Sequence, residues 1–131
     1  MTVPQPCPFC SHINNAGPEW ADSTSLAIPD GFPLNPGHTL VAPRRHVADL
    51  FGLAPDEQAD VWRLVAKTKS ALQAKHRPDA FTIGVNIGTA AGQTVDHAHV
   101  HVIPRFNGDV PDPRGGVRWV IPSRAPYWES R

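Results

Sequence analysis

The residues that invite chemistry lie in one short run, His97-Ala98-His99-Val100-His101-Val102-Ile103, where imidazoles alternate strictly with apolar side chains. In an extended strand this alternation sends all three imidazoles to one face and Ala98, Val100 and Val102 to the other. Same-face positions start about 7 Å apart, which is wide for three nitrogens meeting one zinc ion at about 2.0–2.1 Å. The three rings are therefore expected to hold different tasks. Just upstream, Asn86-Ile87-Gly88-Thr89-Ala90-Ala91-Gly92-Gln93-Thr94 offers glycine-freed backbone N–H groups, a side-chain amide and hydroxyls, all donors suited to phosphate oxygens. Followed at once by aligned imidazoles, this loop is a candidate nucleotide-phosphate cradle; the bland alternative is a solvated, tag-like histidine tract.

A second set of reactive groups sits near the amino end, where Cys7-Pro8-Phe9-Cys10 places two thiols on one tight turn. In a reducing compartment such a pair serves as metal-ligating thiolates, a redox pair or idle thiols. Two cysteines cannot staple a disulfide framework, and seven histidines exceed what packing needs.

The chain that must position these groups has 131 residues, 40% of them hydrophobic, with 12 basic and 12 acidic side chains. That length is one domain with an ordinary core. The charge balance removes a general electrostatic case for nucleic acid or an anionic membrane as partner. No apolar run approaches a membrane span and no export signal opens the chain, so a cytoplasmic protein is expected. Fifteen prolines imply short elements separated by irregular connections. Residues 1–22 read as loop, with a short turn near Phe9 to Asn14 allowed. Strands are expected over 23–28, 38–43, 81–86 and 95–104, with an edge strand at 117–121. The one convincing helix runs from Asp56 to about Lys75, because Val61, Leu64, Val65, Thr68 and Leu72 recur at helical spacing behind Pro55; Ala54 is a poor cap for it. Trp62 is assigned to the core, and His12 and His76 to the surface. The class is α+β, with an antiparallel sheet of about five strands and one main helix.

The run Gly92-Gln93-Thr94-Val95-Asp96-His97-Ala98-His99-Val100-His101-Val102-Ile103-Pro104-Arg105 resembles the signature of the histidine-triad family of nucleotide hydrolases and transferases. Upstream, Pro36-Gly37-His38-Thr39-Leu40-Val41-Ala42-Pro43-Arg44-Arg45-His46 resembles that family's second block. The resemblance implies a single domain with an amino-terminal metal-binding segment (1–22), a catalytic core (23–105) and an irregular tail (106–131). It makes His99 the nucleophile at the α-phosphorus of a nucleotide and His101 a partner of the phosphate or the leaving side, with Thr94 beside them. Neutral imidazole attacks without a dedicated base, and its cationic adduct is a good leaving group. Asn86, Gly92 and Gln93 match positions near the phosphates, Asp30 the carboxylate that takes the ribose hydroxyls, and Ile28, Leu40 and Phe9 the base pocket. For Asp30 the competing reading is an Asp in a Pro-Asp-Gly turn, and for the apolar three it is plain core.

The resemblance further implies that Cys7, Cys10, His46 and His97 hold a structural zinc ion, while His38 supplies a supporting hydrogen bond. The substrate is expected to be a nucleotide, either a dinucleoside polyphosphate or an adenosine phosphoramidate. Gly-Gln-Thr-Val before the triad resembles the first branch, whereas Asn86 resembles the second. His101 counts against the uridylyltransferases, which carry glutamine there, and the chain is too short for the added zinc finger of the aprataxin branch. The competing function is a purine-nucleotide-binding adaptor whose hydrolysis is incidental. Family members are commonly homodimers, so the same is expected here.

Overall fold

The computed structural model describes residues 7–15, 20–21 and 24–129, with the side chains of all but 12–15 and 20–21. Its elements are α1 (Pro8–Asn15), β1 (Trp20–Ala21), β2 (Ser25–Pro29), β3 (Thr39–Pro43), α2 (Pro55–His76), β4 (Ala80–Val85) and β5 (Val100–Arg105). The strands form one antiparallel sheet in the order β1-β2-β3-β5-β4, as the α+β class requires.

The two faces of the sheet do different work. One is closed by α2, whose Val61, Leu64, Val65, Thr68 and Leu72 are all buried and pack with Ala27, Val41, Val100 and Val102. Full burial of each such aliphatic side chain is worth about 1.5–3 kcal/mol, so this layer dominates the core. Pro55 opens α2, and Glu57 accepts the Ala54 N–H at 3.2 Å, which supplies the cap that the alanine side chain lacks. The helix stops at Arg77, in the left-handed region at φ 50°, just before Pro78.

The opposite face is divided. Over β2 and β3, Leu26, Ile28, Leu40 and Ala42 are covered by Phe9 of α1. Register links Ile28 to Leu40, Leu40 to His101 and His101 to Gly84. This single cross-strand row leads from apolar floor to imidazole to bare backbone.

Several expected elements differ. Residues 117–121 form no strand; Gly115 and Gly116 at φ 92° and 49° curl the chain into a 3-10 turn over Gly116–Val120. The strand expected from Val95 starts only at Val100. Before it, the Ala98 N–H bonds the Val47 carbonyl at 2.6 Å instead of a neighbouring strand, and His97 is fully buried. Where a short turn was allowed near Phe9 to Asn14 the chain forms an eight-residue helix, with Pro8 at its start, where a missing N–H costs nothing. Trp62 is 42% exposed, because it lies one position off the buried stripe of α2. His76 is half-buried against Gly37, where φ of 89° and a 2.7 Å approach from a would-be Cβ to the ring mean that any side chain would be strained and would displace His76. Pro4, Pro6, Pro18 and the side chain of His12 lie outside the described residues.

Candidate active site and metal centre

The Cys-x-x-Cys turn opens α1 and brings both sulfurs against His46 and His97, all four ligand atoms lying within 4.8 Å of one another. Sulfur-to-Nδ1 separations are 3.4 Å for Cys7–His97, 3.5 Å for Cys10–His46 and 3.6 Å for Cys10–His97. A tetrahedral zinc ion bonded at about 2.3 Å to sulfur and 2.0–2.1 Å to nitrogen would hold these atoms about 3.6 Å apart. The three sulfur-to-nitrogen separations match that spacing, so the donor set fits the ion. His97 is fully buried, and its Nε2–H donates to the Pro43 carbonyl at 2.7 Å, which leaves the Nδ1 lone pair facing the sulfurs. Burial pushes its pKa down, toward the neutral form a ligand needs. Burial and the neighbouring Cys7 push the Cys10 thiol up, and a metal would displace its proton. Both cysteines are free thiols, not a disulfide.

Two residues on, His99 presents the opposite tautomer. Its Nδ1 lies 2.8 Å from the His97 carbonyl, which can only accept, so the hydrogen sits on Nδ1 and Nε2 keeps a free lone pair. A longer chain of bonds sets His101. The Leu34 N–H donates to His38 Nδ1 at 3.1 Å, so neutral His38 carries its hydrogen on Nε2, 2.9 Å from His101 Nδ1 and 3.3 Å from Asp30 Oδ2. His101 Nδ1 thus accepts, and its Nε2–H is left to donate. Burial lowers the pKa of both rings, against the opposing pull of the Asp30 carboxylate, and favours the neutral forms this chain requires. The ring centroids of His99 and His101 are 5.2 Å apart, which sets an unprotonated nitrogen beside an N–H donor.

Both rings line a cleft of about 520 Å³. Phe9, Leu40 and Val95 form its apolar part, and Asp30, Asn86 and Thr94 add polar groups. Phe9 meets His97 edge-on at 5.4 Å and His99 at 4.9 Å, so the helix that carries the thiols also walls the cleft. The Asn86 and Thr94 side chains make no hydrogen bond among the described residues and are available to a phosphate. Asp30 also fulfils its turn role, with Oδ1 accepting the Phe32 N–H at 2.8 Å. Gly92 lines the cleft in the left-handed region at φ 93°.

Three expected contributions change. Gln93 borders the cleft, but its amide is spent internally: Nε2 donates to Ala48 O (2.8 Å) and Val95 O (3.0 Å), and Oε1 accepts the Gly88 N–H (2.9 Å). The cradle of glycine-freed N–H groups is largely closed as well, since Ala91 and Gln93 bond Gly88 O and Gly92 bonds Thr89 O. Positive φ at Gly88 and Gly92 makes the loop a self-satisfied turn instead of an open nest. Ile28 is 5% exposed and belongs to the core beneath Phe9, not to the cleft wall. The sequence reading missed Phe32, 91% exposed on the cleft rim, because a single aromatic in a Pro/Gly turn carries no periodicity.

A five-stranded antiparallel sheet with a His-x-His-x-His run, two of its rings in the cleft and the first in the metal cluster, defines a histidine-triad protein. Residues 20–108 match the model of the HIT domain family, and the chain belongs to that family. It is 42% identical over 107 residues to an uncharacterized HIT-like protein of Mycobacterium tuberculosis, covering 79% of this chain and 74% of that protein. It is 40% identical over 90 residues to the bifunctional bis(5'-adenosyl)-triphosphatase/adenylylsulfatase FHIT of Arabidopsis thaliana, covering 69% of this chain and 50% of that one. Among solved structures, a zinc-bound histidine triad family protein from Mycobacterium smegmatis superposes with a TM-score of 0.72 at 35% identity, covering 81% of this chain and 84% of that one.

Proposed function

We propose that the protein is a nucleoside-phosphate hydrolase or nucleotidyl transferase that cleaves at the α-phosphate through a covalent nucleotidyl-His99 intermediate. The observation that carries this reading is the bare Nε2 of His99, held by the His97 carbonyl and opening on a cleft with an apolar end and a polar end. In the first step Nε2 bonds to the α-phosphorus while the bond to the leaving group breaks and its electron pair departs with that group, an amine leaving group taking up a proton from solvent water as it goes. In the second, water attacks phosphorus, gives a proton to bulk solvent, and the pair returns to Nε2. The His101 Nε2–H, the Asn86 amide and the Thr94 hydroxyl supply donors where negative charge builds on the phosphoryl oxygens. Asp30 takes the ribose hydroxyls, and Phe9 and Leu40 hold the base.

The substrate class is a dinucleoside polyphosphate or an adenosine phosphoramidate. The triphosphatase activity named for the Arabidopsis relative supports the first, and Asn86 the second. The Cys7, Cys10, His46 and His97 set would hold zinc, and four protein donors close its shell, so the ion is structural and pins α1 to the catalytic run. The metal found in the Mycobacterium smegmatis relative supports this. β4 stands at the edge of the sheet, which suits a homodimer built by strand pairing. No helix among the described residues is long and apolar enough to cross a membrane.

The test is a comparison of turnover and binding in His99→Ala. Loss of kcat by at least about a thousandfold with unchanged AMP affinity is expected. Retained turnover would assign the chemistry to another group.

A further inference from the structure

Phe9 lies between the two thiols in sequence, and its ring joins the metal centre to the cleft. It meets His97 and His99 edge-on, covers Leu26, Ile28, Leu40 and Ala42, and lines the cleft wall. Among the described side chains of α1 it alone is buried; Pro8 is exposed, and Cys10 and Ser11 are partly so. The helix is thus tied to the sheet through that ring and through the two sulfurs that face His46 and His97.

The metal centre is open on one side. His97 is fully buried, but His46 is exposed and both sulfurs are partly accessible, so a small oxidant can reach them. Metal ligation holds cysteines as thiolates, the form that oxidants attack. The two sulfurs are also placed to join each other. Cys7 stands just ahead of α1 and Cys10 in its first turn, with the Ser11 N–H bonded to the Cys7 carbonyl at 2.9 Å. Helical positions three apart have Cα atoms about 5 Å apart, inside the range of about 4.4–6.8 Å that a disulfide spans. They are the only cysteines of the chain, so no third thiol competes for the bond.

We infer, resting on the zinc and nucleotide-cleft readings, that Cys7 and Cys10 are an oxidative modification site for hydrogen peroxide, and that their disulfide frees both the metal and the Phe9 wall of the cleft. One thiolate attacks a peroxide oxygen, and the O–O bond breaks to leave a sulfenic acid and hydroxide. The second thiolate attacks that sulfur, and the S–O bond breaks with loss of a second hydroxide. Two protons from solvent turn both hydroxides into water, and the peroxide has gained the two electrons that the thiolates gave up. Two histidines are then the only donors left, one of them exposed, and α1 keeps only the packing of Phe9 where it had metal bonds on either side of that residue.

The experiment treats the zinc-loaded chain with excess hydrogen peroxide beside a chromogenic chelator. It follows zinc release, free thiols, deuterium uptake by the peptide that spans α1, and AMP affinity by calorimetry. Zinc is expected to leave as both thiols disappear, and peptide mapping to find Cys7 joined to Cys10. Exchange in α1 and the Kd for AMP are each expected to rise by about tenfold, and dithiothreitol with added zinc to reverse all four changes. In Phe9→Ala, peroxide is expected to release zinc as before but to leave the already weakened AMP affinity unchanged. Zinc and thiols retained under peroxide, or sulfonic acids or a bond between two chains in place of the internal disulfide, overturn the proposal. So does an AMP affinity that survives the loss of zinc, or one that falls on oxidation as far in Phe9→Ala as in the wild type. A chain that carries no zinc before treatment overturns the metal reading and the proposal with it, whereas one that never binds AMP overturns the nucleotide reading beneath it.

Discussion

Gln93 is where geometry and family resemblance assign different work to one side chain, and its replacement separates them. Methionine at 93 keeps the length and burial but removes three hydrogen bonds, to Ala48 O, Val95 O and the Gly88 N–H. A net 0.5–1.5 kcal/mol for each bond gives a loss of about 1.5–4.5 kcal/mol. For a domain of this size that lowers Tm by roughly 10 °C. Urea unfolding of wild type and Gln93→Met, followed by circular dichroism, measures the difference directly. The loop that the amide staples also presents Thr94, so the KM for a nucleotide substrate is expected to rise in the same variant. Gln93→Glu keeps an acceptor for Gly88 but loses both donated bonds, and is expected to be destabilised as well. A Gln93→Met protein within about 2 °C of wild type, but with strongly reduced kcat, would mean that the amide serves the phosphate and that the internal bonds are incidental.

Other outcomes follow from the same contacts. Metal analysis is expected to find one equivalent of zinc per chain and less than a tenth in Cys10→Ser; removing the ion should lower Tm by about 5–10 °C, since α1 loses its anchor. Zinc-free wild type with unchanged Tm would refute this. Thr68 Oγ1 is buried on α2 without a hydrogen-bond partner among the described residues, so Thr68→Val is expected to gain about 1 kcal/mol in urea unfolding, and a loss would reveal a bond to that hydroxyl. Burial lowers the pKa of His38 and His101 in the folded state. Their contribution to stability is therefore complete above the unfolded value near 6.5 and declines as acid protonates the unfolded chain first. The urea midpoint should fall between pH 7 and 5.5, and by less in His38→Asn; an equal fall in both would remove these rings as its cause.

Much of this was legible because periodicity reports burial. The stripe from Val61 to Leu72 named the inner face of α2 residue by residue, and the alternation of Val100 and Val102 with His101 named the faces of β5. The four donors of the metal cluster, far apart in the chain, were reachable only through resemblance, since Cys-x-x-Cys does not say which histidines complete it. Long-range polar detail was not legible. No pattern in the sequence states that Ala48 and Val95 will use up the Gln93 amide, or that a Leu34 N–H will set the tautomer of His101 through His38. The tail escaped for a related reason: Val117, Val120 and Ile121 look like an edge strand until the two left-handed glycines before them are taken into account.

The central claim is that His99 carries the nucleotide between the two chemical steps. The most direct measurement mixes the protein with a nucleotide substrate labelled at the α-phosphate, quenches in base within the first turnover, and maps the label by peptide mass spectrometry. Acid-labile nucleotidyl label on His99, absent from His99→Ala, is the expected result. Product formed at a full first-turnover rate with no label on the protein, or with label on another residue, would contradict it.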